Sequence, residues 1–138
     1  MVSWLINFNM ATADNVTSMI KCIETERKTL FAFKQGLEDP SNRLSSWIGN
    51  GCCQWSGVEC NKTSGHVIKL DLRNPFQMKE TWLGGDINSF LLGLKYLEYL
   101  DLSSNEFVGT SIPEFIGMIK NLRYLNLSSA SFGGEIPS

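Results

Sequence analysis

The chain has 138 residues, with 12 lysines and arginines, 14 acidic residues and a net charge of −2 when its single histidine is neutral. The basic residues are spread along the chain without forming a block, which excludes nucleic acid as an expected partner. No stretch reaches the roughly 20 apolar residues that a membrane-spanning helix needs.

Residues 1–21 are expected to form a leader that is either disordered or an incomplete signal peptide. A secretory signal needs a basic start and an apolar run of at least about seven residues. The segment MVSWLINFNMATA has no lysine or arginine, and Ser3 and Asn7 interrupt its apolar run. Only Ala11 to Ala13 resembles the end of a cleavage site. The sequence therefore gives no convincing export signal.

Residues 22–66 are predicted to form a cap that covers one end of the molecule. A helix with one apolar face is indicated by the spacing of Ile23, Leu30, Phe33 and Leu37. Its charged residues are expected on the outside, namely Glu24, Glu26, Arg27, Lys28 and Lys34. Asp39 followed by Pro40 is expected to end this helix. Leu44 and Trp47 then predict a second short helix, and Trp55 with Val58 predicts a strand.

All four cysteines lie in this cap, at Cys22, Cys52, Cys53 and Cys60. Four cysteines allow three pairings, although a bond between the neighbours Cys52 and Cys53 would close a strained ring. Paired cysteines indicate an oxidising compartment. A zinc site formed by Cys52, Cys53, Cys60 and His66 is a weaker alternative, because the usual C-x2-C spacing is absent. A cysteine nucleophile served by His66 would lack an orienting third group.

Three N-x-S/T sequons agree with an oxidising compartment and make Asn15, Asn61 and Asn126 candidate N-glycosylation sites. Asn126 falls on a predicted strand. A glycan there would cover part of any surface that the strand offers to a ligand.

Two similar lines of sequence lie 25 residues apart: LEYLDLSSNEFVGTSIP begins at Leu97 and LRYLNLSSASFGGEIP at Leu122. Each begins with L-x-x-L-x-L, whose alternation indicates a strand with one buried face. The Ile-Pro pair that follows turns the chain back. A fainter copy begins at Val67. The period predicts a stacked solenoid with units at 67–96, 97–121 and 122–138, the last of them truncated.

These lines resemble the plant-type leucine-rich repeat, L-x-x-L-x-L-S-x-N-x-L-x-G-x-I-P. Upstream, C-x-x-E-R-x-x-L-x-x-F-K, C-C-x-W-x-G-V-x-C and GHVIKLDL resemble the N-terminal cap and first coil of plant leucine-rich-repeat receptors. The resemblance covers residues 22–138. It implies an α/β fold, a right-handed solenoid with short parallel strands on its concave face and a disulfide-linked helical cap. It also implies the pairs Cys22–Cys52 and Cys53–Cys60.

The resemblance further implies an inward asparagine in each coil that binds backbone groups of neighbouring coils. Asn105 occupies this position, whereas Pro75 and Ala130 occupy it in the first and third coils. We therefore expect the turns of those two coils to be held less firmly.

Stacked coils should place equivalent strand residues side by side on the concave face. The polar positions then form the columns Lys69–Tyr99–Tyr124, Asp71–Asp101–Asn126 and Arg73–Ser103–Ser128. Tyrosine is enriched in interface hot spots, which favours a contact role for the first column. The alternative is that all three columns are ordinary solvated strand positions. The candidate contact residues are Lys69, Asp71, Arg73, Tyr99, Asp101 and Tyr124.

By resemblance, the chain is the N-terminal fragment of a receptor-like ectodomain, extracellular or at the plasma membrane, that perceives a defence or developmental signal. The implied partners are a protein or peptide ligand and a co-receptor kinase, and no cofactor or metal is expected. A secreted polygalacturonase inhibitor is an alternative, although the long return segment from Asn74 to Trp82 fits the receptors better. A truncated, non-functional gene copy is another. A membrane span in downstream sequence would support the receptor. A second cysteine cap with no membrane span would support the inhibitor.

An enzyme is the least favoured class. The best polar set would be Asp71, Asp101 and His66. The aspartates occupy repeated positions of a structural motif, and an open strand face lacks the enclosed pocket that catalysis requires.

Overall fold

The computed structural model describes residues 20–107 and 113–130. Residues 1–19 of the leader, which include the Asn15 sequon, lie outside this part, as do residues 108–112 of the second unit and residues 131–138 of the third. The regular elements are α1 (Glu24–Gln35), β1 (Leu37–Glu38), β2 (Val58–Cys60), β3 (Val67–Asp71), β4 (Gly84–Gly85), β5 (Tyr99–Asp101) and β6 (Tyr124–Asn126). Short 3-10 helices occupy Cys52–Gln54, Lys79–Thr81, Ser89–Gly93 and Glu114–Met118.

The main sheet has the strand order β2-β3-β5-β6. Strands β3, β5 and β6 are parallel, whereas β2 from the cap runs antiparallel to β3. The last three of these 3-10 helices lie in the connections that return the chain from one parallel strand to the next. Successive units thus stack as coils, as the period predicts, and the α/β solenoid with its helical cap is confirmed.

The core is a stack of equivalent apolar side chains from the first two coils, whereas the equivalent Leu125 of the third coil is 38% exposed. Leu70 and Leu100 are paired neighbours in the register of β3 and β5, and both are fully buried. The positions on either side of them in the repeat are buried too: Val67, Leu72, Leu97 and Leu102. Burial of one such side chain contributes about 1.5–3 kcal/mol. The L-x-x-L-x-L pattern therefore supplies the free energy that holds neighbouring coils together.

The cap packs around two tryptophans and two disulfides. The rings of Trp47 and Trp55 stack with their centroids 5.4 Å apart. The indole nitrogen of Trp47 donates a hydrogen bond to the carbonyl of Ser56, at 2.8 Å. The disulfides join Cys22 to Cys52 and Cys53 to Cys60, the pairs that the resemblance implies.

Two local predictions for the cap are wrong. Helix α1 ends at Gln35, before Asp39, because Leu37–Glu38 leaves the helix to pair with Gly84–Gly85 in a small antiparallel sheet. The predicted second helix around Leu44 and Trp47 is a series of turns. Its backbone is fixed by Asp39, whose carboxylate accepts the N–H groups of Arg43 and Leu44 at 2.8 Å each.

The placement of Glu26 on the outside of α1 is also wrong. Glu26 is only 5% exposed. One carboxylate oxygen accepts the backbone N–H of Val67 at 2.7 Å, and the other lies 2.7 Å from Nδ1 of His66. The side chain therefore links the cap helix to the first residue of β3, which explains why a charged group is buried there.

The first coil is held more firmly than Pro75 led us to expect. The preceding residue, Asn74, is buried and bridges its own turn, since its side chain donates to the Met78 carbonyl at 2.9 Å. Arg43 reaches in from the cap and donates to the carbonyl oxygen of Leu72 at 3.0 Å and to the side-chain oxygen of Asn105 at 2.9 Å. These contacts replace the missing inward asparagine.

Candidate functional site

We call Lys69, Tyr99 and Tyr124 the tyrosine column. The strand register places these residues side by side across β3, β5 and β6. The two tyrosine rings stack nearly parallel, with centroids 4.1 Å apart and planes 4° from parallel. The Lys69 ammonium lies 4.5 Å from the centre of the Tyr99 ring, a cation–π contact. The three side chains therefore form a continuous strip in which each restricts the movement of its neighbour.

The phenol group of Tyr99 remains neutral well above physiological pH. Desolvation, followed by the hydrogen bond with Tyr124 and nearby negative charges, raises the pKa of Tyr99 to about 12. The side-chain amide of Asn126 donates to the Tyr124 hydroxyl at 3.2 Å. Tyr124 is 41% exposed. The column therefore offers an aromatic surface with a polar rim.

The second column belongs to the turns that end the strands. One carboxylate oxygen of Asp101 accepts the backbone N–H of Ser103 at 2.9 Å and its hydroxyl at 2.6 Å. Asn126 repeats both contacts with Ser128, at 3.0 and 2.7 Å. Such side-chain turns stabilise the backbone locally. Asp101 was expected among the contact residues. It is only 2% exposed, so its side chain is not available to a ligand.

The concave face ends on the cap side at a polar and aromatic cleft of about 450 Å³. Exposed Arg73 lies there, with its Nε 3.6 Å from the carboxylate of Asp71. Phe76, also in the lining, is 63% exposed. Sequence reasoning missed Phe76, because it follows the strand in a turn whose path the repeat pattern does not define.

The groups considered for metal binding or catalysis have structural partners. All four cysteine sulfurs are in disulfides, so none is a thiolate ligand for zinc. His66 faces buried Glu26, and its ring packs on Tyr96 with centroids 3.9 Å apart. The Asp101 carboxylate is occupied in its own turn. The set formed by Asp71, Asp101 and His66 is therefore not organised for catalysis.

The stacked parallel strands, the helical cap and its disulfides define the class of protein as a capped leucine-rich-repeat solenoid. Residues 23–61 match the leucine rich repeat N-terminal domain family, and residues 96–118 and 121–138 match the Leucine Rich Repeat family. The chain therefore belongs to the leucine-rich-repeat family. The matched regions are a non-catalytic cap and repeats.

More particularly, the chain is homologous to plant receptor-like proteins over most of its length. It is 45% identical over 123 residues to the receptor-like protein EIX2 of Solanum lycopersicum. The matched region covers 85% of this chain and 12% of that protein. The chain thus spans about an eighth of the length of this relative.

Solved structures agree with this assignment. The BIR2 ectodomain from Arabidopsis thaliana superposes with a TM-score of 0.70 and 32% identity, over 85% of this chain and 60% of that chain. The Arabidopsis receptor kinase HAESA, solved with the peptide hormone IDA and the co-receptor SERK1, superposes with a TM-score of 0.69 and 31% identity. That match covers 83% of this chain and 19% of HAESA. Within residues 20–107 and 113–130, no helix is long and apolar enough to cross a bilayer.

Proposed function

We propose that this chain forms the capped first coils of an extracellular receptor-like ectodomain that binds a protein or peptide signal of defence or development. The homology to a receptor-like protein and the likeness to a receptor kinase solved with a peptide hormone and a co-receptor support this role. In this proposal a co-receptor kinase is a further partner. The disulfide-linked cap fixes one end of the solenoid, and the tyrosine column contributes to the ligand contact.

The tyrosine column is the observation that carries the contact role. Its side chains are arranged before any ligand binds, because Lys69 packs on Tyr99 and Tyr99 on Tyr124. A surface that is already ordered loses little side-chain entropy on binding. Stacked aromatic groups with polar hydroxyls are also the residue type that dominates binding energy at interfaces.

The test begins with a random displayed peptide library, from which peptides that bind the full chain are selected. The chain is produced by secretion, so that its disulfides are oxidised. The affinity of each selected peptide is then measured for the wild type and for the double variant Tyr99→Ala/Tyr124→Ala. We expect most selected peptides to bind the double variant at least about tenfold more weakly, a loss typical of hot-spot residues.

The matched control is Phe31→Ala/Phe90→Ala, which removes two exposed aromatic rings outside the main sheet. It should change the affinities by less than about threefold, because exposed single aromatic residues are common outside binding sites. Equal losses in both double variants, or no loss in either, would refute the contact role and leave these coils a scaffold.

We further propose that Asn61 and Asn126 carry N-glycans when the chain passes through the secretory pathway. Asn61 lies in an exposed loop, where its side-chain oxygen accepts the N–H groups of Thr63 and Ser64. A glycan on the amide nitrogen of Asn126 would lie beside the Tyr124 hydroxyl and so at the edge of the tyrosine column.

Digestion with a peptide N-glycosidase should lower the mass of the secreted chain, and each of Asn61→Gln and Asn126→Gln should remove one step of that shift. Thr63→Ala is the matched variant for the first site, since it removes the sequon but keeps the asparagine. Asn126→Gln should also strengthen binding of peptides that need the tyrosine column, whereas Asn61→Gln should not. A secreted chain whose mass the enzyme leaves unchanged would contradict the proposal.

A further inference from the structure

A groove of about 440 Å³ lies beside the main sheet, between the second and third coils. It is formed where the 3-10 helices Ser89–Gly93 and Glu114–Met118 lead into β5 and β6. Its apolar lining includes Leu92, Leu94, Met118 and Ile119. Its volume is within the range of cavities that bind small ligands or one or two side chains.

Two lysines line this groove at equivalent positions of consecutive repeats, Lys95 and Lys120. Both are exposed. In the part of the chain that the structure describes, neither ammonium group forms an ion pair. The groove therefore combines an apolar lining with two positive charges that no carboxylate of the described residues neutralises.

The walls of the groove are fixed by contacts between coils. The side-chain amide of Asn121 donates a hydrogen bond of 2.7 Å to the carbonyl oxygen of Lys95, which ties the two lysine-bearing turns together. Tyr96, also in the lining, has its ring packed on His66 with centroids 3.9 Å apart. The tyrosine body and the two lysine backbones are therefore ordered without a ligand.

We propose that this lysine groove, lined by Leu92, Leu94, Ile119, Lys95 and Lys120, binds an acidic peptide segment that inserts an apolar side chain between the two lysines. Carboxylates of the peptide would pair with the ammonium groups, and the inserted side chain would pack on the partly exposed Leu92. The apolar lining favours a peptide over an acidic polysaccharide, since sugar acids offer charge without an apolar side chain. The site is separate from the tyrosine column and does not depend on it.

The probe is a fluorescein-labelled Asp-Leu-Asp-Phe-Asp peptide, and its neutral counterpart is Asn-Leu-Asn-Phe-Asn. Binding to the full chain is followed by fluorescence anisotropy at about 50 mM and 300 mM salt, because ion pairs at a surface are screened over this range. We expect the acidic peptide to bind at least about tenfold more tightly than the neutral one at low salt, and this preference to shrink at high salt.

The variant Lys95→Gln/Lys120→Gln should abolish the preference for the acidic peptide. The matched control, Lys62→Gln/Lys79→Gln, changes the net charge equally at two exposed lysines elsewhere, and it should retain the preference. Thermal melts of both variants check that they fold. The proposal is overturned if the control loses the preference equally, or if the two peptides bind alike. Stronger competition by oligogalacturonate than by unlabelled acidic peptide would also overturn it, in favour of a polysaccharide site. The variant Tyr99→Ala/Tyr124→Ala should bind the probe normally, so this result is independent of the proposed concave contact.

Discussion

Replacing Asn105 by alanine should lower the free energy of unfolding by about 3 kcal/mol, because the buried backbone N–H of Leu83 loses its acceptor and the carbonyls of Leu72 and Leu102 each lose a donor. Asn105 is 1% exposed. Its amide nitrogen donates to the Leu72 carbonyl at 2.8 Å, and its oxygen accepts the backbone N–H of Leu83 at 3.0 Å and the guanidinium of Arg43 at 2.9 Å. One side chain thus satisfies groups of the cap and of two coils. Urea unfolding followed by tryptophan fluorescence measures the change.

Asn121→Ala is the control for this experiment. Asn121 also bridges two coils through a side-chain hydrogen bond, to the Lys95 carbonyl, but it is exposed. Water can replace that contact, so the free energy of unfolding should change by less than about 0.5 kcal/mol. A similarly small change for Asn105→Ala would show that the inward asparagine is not needed to hold the coils together.

Replacing Glu26 by alanine should cost about 2–3 kcal/mol of unfolding free energy, since the backbone N–H of Val67 would then be buried without an acceptor. The same change removes the partner of His66 Nδ1. Glu26→Gln should cost less, because its side-chain oxygen can still accept from Val67 while the charge on this link is lost. The same urea titration reports both values.

Glu24→Ala serves as the matched control on the same helix. Glu24 is exposed and pairs with Arg27 across one turn of α1. Exposed pairs at this spacing contribute little to stability, because water screens the charges and both side chains lose conformational freedom on pairing. If Glu24→Ala and Glu26→Ala lowered the free energy of unfolding equally, the structural link between cap and solenoid through Glu26 would be refuted.

The architecture was predictable from the sequence because it depends on a repeated local pattern. The 25-residue period places Tyr99 beside Tyr124. The first coil is five residues longer, so Lys69 is placed beside Tyr99 by its equivalent position in the L-x-x-L-x-L motif. The burial of Glu26 was also within reach. Glu26 precedes Leu30 by four residues and Phe33 by seven, so helical spacing places it on the buried face of α1. Only the charge of Glu26 indicated that it should lie on the outside of the helix.

The role of Arg43 was not predictable in the same way. Its acceptors include Leu72 and Asn105, which are 29 and 62 residues away in sequence. No local pattern marks an arginine that fills a position left by Pro75 in another part of the chain. The lysine groove was not predictable for a related reason, because Lys95 and Lys120 precede the strands and lie outside the alternating positions whose exposure the repeat defines.

Because β2 pairs antiparallel with β3, whole coils can be gained or lost in evolution more easily at the β6 side of the molecule than at the capped side. Strand β2 covers one edge of the parallel sheet, and Glu26 and Arg43 bind groups specific to the first and second coils. A unit inserted between β2 and β3 would break these contacts. A unit duplicated beyond β5 would meet only the generic leucine surface that every coil presents. Duplication or deletion of whole units can therefore lengthen or shorten the protein on the β6 side, while the capped side is inherited unchanged.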